Sequence, residues 1–106
     1  MSQVHTVSNV ATFDSGYTGI FDSWYAGLVK AINAKITPSN KLVVGTQYTV
    51  ATISDGFRPK AFTSAFAIAH NSIAYCDITQ TGKIIVRPTT GDVPAGTNIW
   101  LRCVYI

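Results

Sequence analysis

The sequence contains no glutamate, and aspartate is its only acidic residue. Charged residues of both signs make up 12% of the chain, well below the roughly 25–35% used on the surfaces of designed soluble monomers. Such a chain must cover itself with threonine, serine, asparagine, glycine and apolar groups. Because interfaces between permanently associated subunits are more apolar than ordinary surface, we expect part of this surface to be buried against other copies of the chain.

Long hydrophobic runs are also missing. No apolar segment approaches the roughly 20 residues of a membrane-spanning helix. The opening stretch "MSQVHTVSNVATFDSG" has neither the basic start nor the apolar block of a secretory signal. The chain is nevertheless 47% hydrophobic, which is ample material for a core. We therefore predict one soluble domain over residues 1–106, without membrane insertion.

The positive charges are few and are not clustered. The net charge of +3 arises from eight Lys or Arg against five Asp, and no two cations are adjacent. Nucleic-acid binding surfaces gather Lys and Arg on one face, so the sequence does not predict a nucleic-acid partner.

The sequence lacks the residue patterns that carry catalysis. No serine stands in a Gly-x-Ser-x-Gly motif, and the glycines are dispersed as turn formers with no phosphate-binding loop. All the aspartates except Asp77 lie in or next to expected turns, and Asp77 has no evident carboxylate partner for acid–base work. We predict that the protein is not an enzyme and uses no cofactor.

Cysteine and histidine are too few for a zinc site. Cys76 and Cys103 each lie within an alternating apolar run, and His5 and His70 complete no metal-binding pattern. The pattern favours two buried thiols, and a disulfide between neighbouring strands is the alternative. No metal site is predicted.

What the sequence does contain is alternation of apolar and polar residues. From Lys41 onward, runs with a period of two are separated by short loops that carry Asn-Ser or Thr-Gly. These turn signals indicate seven or eight short strands. We predict an all-β fold, an antiparallel β-sandwich of jelly-roll-like form.

The last expected strand, "NIWLRCVYI", is apolar on both faces. Leu101 and Cys103 lie on one face, and Trp100 and Val104 lie on the other. A strand of this kind needs a packing partner on each side, either a second sheet together with a neighbouring subunit or a very full sandwich.

Two regions are harder to assign. In residues 22–37, a period of 3.6 places Trp24, Leu28 and Ile32 on one helix face, while a period of two places Leu28, Ile32 and Ile36 on one strand face. We favour the strand because the rest of the chain is β. Residues 1–26 are expected to form an N-terminal strand or arm, with "VSNVATF" and "YTGIF" as short strands around a turn.

The stretch "ATISDGFRPKAFTS" interrupts the alternation with a corner. Gly56 is expected to permit the turn, Phe57 to pack under the sheet, and Pro59 to stop the strand. The guanidinium of Arg58 can bond several carbonyls or an aspartate at once, which favours a structural role over ligand binding.

Saccharide sites commonly combine an aromatic face with a few groups that hydrogen-bond hydroxyls. Four places in the sequence have this character, although each also has a structural interpretation as core, interface or turn. They are Trp24–Tyr25, His70–Asn71, Tyr75 with Asp77, and Trp100 with Arg102.

Five segments follow one another from Gly27 to the C-terminus: "GLVKAINAKIT", "YTVATI", "DGFRP", "CDITQTGKIIV" and "NIWLRCVYI". This pattern resembles the C-terminal head domain of bacteriophage receptor-binding and tail-fibre proteins, particularly those of phages that infect Gram-positive bacteria. The "GFRP" corner followed by the "TGKI" hairpin is its most specific part.

The resemblance implies a homotrimeric β-sandwich at a phage tail or fibre tip, in contact with other virion tail proteins, that binds a host cell-surface glycan. It directs attention to Tyr75 and Asp77 on the matching hairpin and to His70 and Asn71 at its turn; Trp100 and Arg102 are added from their chemistry alone. The alternative is a purely structural virion protein, a capsid decoration or a fibre connector.

Overall fold

The computed structural model describes residues 3–106; Met1 and Ser2 of the predicted N-terminal arm lie outside the described residues. Nine strands and a short 3-10 helix, Asp55–Phe57, make up the described secondary structure. The strands are β1 (His5–Ser8), β2 (Ala11–Phe13), β3 (Tyr17–Ala26), β4 (Val29–Pro38), β5 (Tyr48–Ile53), β6 (Thr63–Ala69), β7 (Ser72–Ile78), β8 (Lys83–Pro88) and β9 (Ile99–Tyr105).

All nine strands belong to one antiparallel sheet in the order β1-β3-β4-β9-β6-β7-β8-β5-β2. The sheet curls so that the inner faces of its two halves share one core. The predicted all-β antiparallel class is confirmed, with nine strands where seven or eight were expected. Residues 3–106 contain no helix with the length and apolar character needed to cross a bilayer.

Alternation along the strands builds the core. In β9, Ile99, Leu101, Cys103 and Tyr105 are buried and the residues between them are exposed. The same pattern of inward and outward residues recurs in β7 and β8. The fully buried side chains that fill the centre are largely β-branched, as expected for a pleated sheet buried on one face: Ile32, Ile36, Ile53, Ile78, Ile84, Ile99, Val50, Val86 and Val93.

Residues 22–37 form the β3–β4 hairpin, so the strand prediction for this region is confirmed. The period of two decides the structure because Ile32, Ala34 and Ile36 all enter the core. At Gly19 the two strands approach closely, since a Cβ there would lie 1.8 Å from the Lys35 carbonyl oxygen.

The N-terminal region differs from the predicted pair of strands. "VSNVATF" is broken at Asn9, whose φ of 58° lies in the left-handed region. The break sends the chain from one edge of the sheet to the other, because β1 pairs with β3 whereas β2 pairs with β5. Val10, at the crossing, is 3% exposed, and its carbonyl accepts a hydrogen bond from the Ser54 amide at 2.7 Å.

Both cysteines are buried free thiols on the inner face, so the favoured prediction is confirmed and the disulfide alternative is not. Cys76 lies in β7 and Cys103 in β9, with β6 between these strands. Burial, reinforced by Cys103 and Asp77 nearby, raises the pKa of the Cys76 thiol from 9.0 to about 12.

The two loops that cross between the halves of the sheet, residues 39–47 and 89–98, mirror each other. Leu42 and Val93 exchange backbone hydrogen bonds of 2.8 Å. The Gly45 amide donates to the Pro88 carbonyl and the Gly96 amide donates to the Pro38 carbonyl, each at 2.8 Å. No internal repeat was predicted from the sequence. The two loops nevertheless form a local structural repeat, in which the second loop is one residue longer than the first.

At the corner, Phe57 is buried and its ring meets that of Tyr105 edge to face, with centroids 6.3 Å apart. The Arg58 Nε donates to the Ile53 carbonyl oxygen at 2.9 Å, and its guanidinium lies 3.7 Å from the Asp55 carboxylate. These contacts are those of a structural role. The prediction that the turn needs glycine at position 56 is wrong, because the φ of Gly56 is not positive and a Cβ there would meet no atom within 4 Å.

Pro59 follows the corner as a buried residue. The backbone beyond it is fixed to the end of the chain, since the Lys60 amide donates to the Ile106 carbonyl at 2.9 Å. The corner is therefore tied both to β5 and to the segment after β9.

Candidate functional site

The outer face of β3, β4 and β9 carries a cross-strand row of polar side chains. Asp22 lies opposite Asn33, which lies opposite Arg102 on the next strand. Beside this row, Lys35 lies opposite Trp100. Alternation along β4 is the cause, because Asn33 and Lys35 must face outward when the residues between them fill the core.

These five side chains line a groove of about 350 Å³. Its remaining walls are Ile20, Ala34 and Leu101. Trp100 is 56% exposed, so its indole is an open apolar surface at the rim of the groove.

The polar groups of the groove have no partners within the part of the chain that the structure describes. Asp22, Asn33, Lys35 and Arg102 make no side-chain hydrogen bond or ion pair with residues 3–106. Their donors and acceptors are therefore free to bind a ligand that supplies hydroxyl groups.

Tyr75 and Asp77 lie on the outer face of β7, away from the groove. Asp77 is half-buried and accepts a hydrogen bond from the Ser64 hydroxyl at 2.9 Å. The Arg87 guanidinium lies 5.0 Å from the centroid of the Tyr75 ring, a cation–π distance. The groups on this part of the face are thus engaged with one another.

His70 and Asn71 form the exposed turn between β6 and β7. His70 has a φ of 44°, a left-handed conformation that non-glycine residues seldom adopt. The structure therefore brings Trp100 and Arg102 together in the groove, places Tyr75 and Asp77 on the same sheet face, and leaves His70 and Asn71 at the turn.

Beside the groove, the outer face of β6 and β7 carries an exposed apolar strip, defined as Phe66, Ile68, Ile73 and Tyr75. Ile68 lies opposite both Trp100 and Ile73, and Phe66 lies opposite Tyr75 with ring centroids 5.2 Å apart. All four side chains are exposed. A continuous apolar surface of this kind on a small domain marks an interaction surface.

A second depression, of about 500 Å³, lies where β1, the β3–β4 turn and the corner meet. Val7, Val10 and Phe57 supply its apolar lining, and Lys30 is the one charged residue among those that line it. With a single cation and no carboxylate, it offers a hydroxyl-rich ligand fewer charged groups than the groove does.

No family model matches the sequence, and the search of curated proteins finds no match. The solved structures that are similar to this chain include the head domain of phage bIL170, published in a study of the receptor-binding domains of lactococcal phages. The TM-score is 0.71 at 13% identity, and the match covers 96% of each chain. The chain has the fold of a phage receptor-binding head domain.

Three residues that line the groove, Asp22, Asn33 and Lys35, were not predicted as site residues from the sequence. The alternation of Asn33 and Lys35 with apolar residues was a usable signal that both face solvent. Their proximity to Trp100 and Arg102 had no local signal, because it depends on β4 pairing with a strand at the far end of the chain.

Proposed function

We propose that the chain is the receptor-binding head domain of a phage tail or fibre tip, which recognises a saccharide on the surface of its host bacterium and does not cleave it. The observation that carries this proposal is the shared fold over 96% of both chains. It is supported by the open aromatic surface and unpartnered polar groups on the outer face of the sheet.

The chemistry of the outer face suits a glycan. The apolar side of a sugar ring packs on an aromatic plane, while hydroxyls donate to carboxylates and accept from guanidinium and amide groups. The face offers both kinds of contact in two places, around Trp100 and around Tyr75. The six residues predicted from the sequence, His70, Asn71, Tyr75, Asp77, Trp100 and Arg102, remain the candidates for this role.

The proposal that the glycan is not cleaved is supported by the distance between the outer-face carboxylates. Asp22 on β3 and Asp77 on β7 are separated by four strand spacings. At about 4.8 Å for each spacing, they lie about 19 Å apart along the sheet, beyond the roughly 5–10 Å that separates the paired carboxylates of glycosidases. These two groups cannot act on one glycosidic bond.

We also propose that the domain is a homotrimer held together through the apolar strip. The strip lies beside the groove, so three copies joined there would place their glycan sites near subunit boundaries. Burial of the strip would account for the low charge content of the chain. The remaining partners would be other tail proteins of the virion.

The test is adsorption of the fluorescently labelled whole chain to a panel of Gram-positive bacteria that includes lactococcal strains. We expect binding to some strains and competition by cell-wall polysaccharide extracted from the same strains. Periodate-treated polysaccharide is the control, because cleavage of its vicinal diols removes the hydroxyl pattern. The extracted polysaccharide should keep its chain length after prolonged incubation with the protein.

Adsorption to no strain of the panel would contradict receptor binding and would favour the structural virion protein, a capsid decoration or fibre connector. Adsorption that the polysaccharide does not compete would contradict a saccharide receptor. Shortening of the polysaccharide would contradict the non-catalytic role.

A further inference from the structure

We propose that the groove on β3, β4 and β9 binds one pyranose residue of the host glycan, with Asp22, Asn33 and Arg102 bonded to its hydroxyls and its ring stacked on Trp100. This inference rests on the proposed function and assigns its binding site. It adds Asp22 and Asn33 to the site and places the β6–β7 hairpin outside it.

The geometry of the sheet supplies the spacing. Neighbouring strands lie about 4.8 Å apart, and side chains two positions apart on a strand are separated by about 6.7 Å. The Asp22–Asn33–Arg102 row therefore presents an acceptor, an amide and a donor in regular steps alongside the Trp100 indole. A volume of about 350 Å³ holds a single sugar residue and leaves room for the glycosidic links to leave the groove.

Lys35 completes the site from the side. It lies opposite Trp100 and diagonal to both Asp22 and Arg102, so its methylene stem extends the apolar surface beside the indole. Its ammonium group adds a donor for a ring or hydroxyl oxygen.

The two regions of the outer face differ in how far their polar groups are already used. In the groove, four polar side chains have no partner among residues 3–106. On the hairpin, Asp77 accepts a hydrogen bond from Ser64, and Arg87 of the adjacent β8 lies over Tyr75. Tyr75 also belongs to the apolar strip, which the proposed trimer buries. The unpartnered Asp22 carboxylate, and the burial of Tyr75 in the proposed trimer, therefore favour the groove as the sugar site.

The experiment uses the whole chain with Trp24→Phe, which leaves Trp100 as the single tryptophan. Methyl glycosides of glucose, galactose, N-acetylglucosamine and rhamnose are titrated, and Trp100 emission is followed. We expect at least one to shift the emission with a dissociation constant on the order of 1–10 mM, the weak affinity expected of a single sugar.

Chemically matched substitutions then separate the two regions. Asp22→Asn and Arg102→Gln act in the groove. Asp77→Asn on the β6–β7 hairpin and Arg87→Gln on the adjacent β8 make the same changes around Tyr75, and these two are called the hairpin variants. We expect each groove variant to weaken binding by about tenfold or more, since a hydrogen bond to a charged group is lost, and the hairpin variants to bind as the parent does.

An emission that responds to none of the four glycosides, or hairpin variants that lose affinity as much as the groove variants, would overturn the groove assignment. The cell-adsorption assay keeps this result distinct from failure of the proposed function. A chain that adsorbs to cells with unchanged affinity after Asp22→Asn and Arg102→Gln still binds a receptor, but not through the groove.

Discussion

Single residues carry the tightest constraints of the fold, and Gly82 is one of them. Its φ is +88°, and an added Cβ would lie 2.6 Å from the Ile53 carbonyl oxygen and 2.7 Å from the Arg58 Nε. These two atoms are the acceptor and donor of the hydrogen bond that ties the corner to β5. Glycine at this position therefore protects a contact made by two other residues.

Gly82→Ala is expected to lower the free energy of unfolding by about 3 kcal/mol, from backbone strain and from loss of the Arg58–Ile53 bond. Urea unfolding measures the change. Gly45→Ala is the matched control, because Gly45 has a similar φ of +82° but a Cβ there would meet nothing within 4 Å. It should cost about 1 kcal/mol, from strain alone. Equal losses in the two variants would show that the crowding at Gly82 is unimportant.

The Cys76 thiol is expected to lower the free energy of unfolding as the pH becomes alkaline. Burial raises its pKa to about 12 in the folded chain, against 9.0 when exposed. The unfolded chain therefore releases its proton first, and stability is lost as the pH rises from 9 towards 12. The contribution is about 1.4 kcal/mol for each pH unit.

The free energy of unfolding measured between pH 8 and 11 should show this loss. Cys76→Ala should lower that free energy by a constant amount, because it leaves a cavity, and should make its decline with pH less steep. The native thiol should also resist thiol reagents at pH 8, because it is buried and protonated. A parent and a variant with the same slope would contradict the assigned pKa.

At the scale of elements, the N-terminal segment joins the two edges of the sheet. β1 and β2 follow each other in the chain, yet they occupy opposite ends of the strand order. Val10 anchors the crossing between them as a buried side chain. The segment therefore restrains the two edges together, although its strands are short.

Val10→Ala is expected to lower the free energy of unfolding by about 2 kcal/mol, the usual cost of removing buried methyl groups. Val4→Ala is the control, because Val4 is 65% exposed and should change stability by less than about 0.5 kcal/mol. Hydrogen exchange should accelerate in both β1 and β2 of the Val10 variant. Faster exchange in one strand alone would contradict the joint restraint.

The elements themselves were largely predictable because one face of each strand is buried. Alternation identified β5 to β9, whereas residues 22–37 were assigned as strand because the rest of the chain is β. Pairing was not predictable. Asn9, a single residue in an unusual conformation, splits an apparent strand, and the one-residue difference between the crossing loops conceals their similarity.

The site was predictable only in part, for the same reason. Trp100 and Arg102 were identified by side-chain chemistry on one strand. Asp22 and Asn33 join them through the pairing of β3 with β4 and of β4 with β9. Residues that meet across strands distant in sequence leave no local pattern, so a groove of this kind emerges only with the sheet.

On the scale of the whole molecule, the apolar strip is the surface through which we propose that three copies associate. Ile68 lies at its centre, opposite Ile73 and Trp100, and is 59% exposed. Ile68→Lys would place a charge in the proposed contact between copies, where it would be desolvated without a partner. We expect sedimentation of the parent as a trimer of 11.4 kDa chains and of the variant as single chains.

Val43→Lys is the matched control, since Val43 is 43% exposed but lies in a crossing loop outside the strip. It should sediment as the parent does. A parent that sediments as a monomer at high concentration, or a trimer that survives Ile68→Lys, would overturn the strip as the interface.

The central position of β9 has a consequence for biosynthesis. It is the last of the nine strands to leave the ribosome, and it lies between β4 and β6. Until it emerges, the nascent chain can build only two partial ribbons, each with an unsatisfied border able to recruit a foreign strand. Closure of the sheet is therefore delayed until Ile99–Tyr105 is released, and the incomplete chain is most exposed to aggregation before that point.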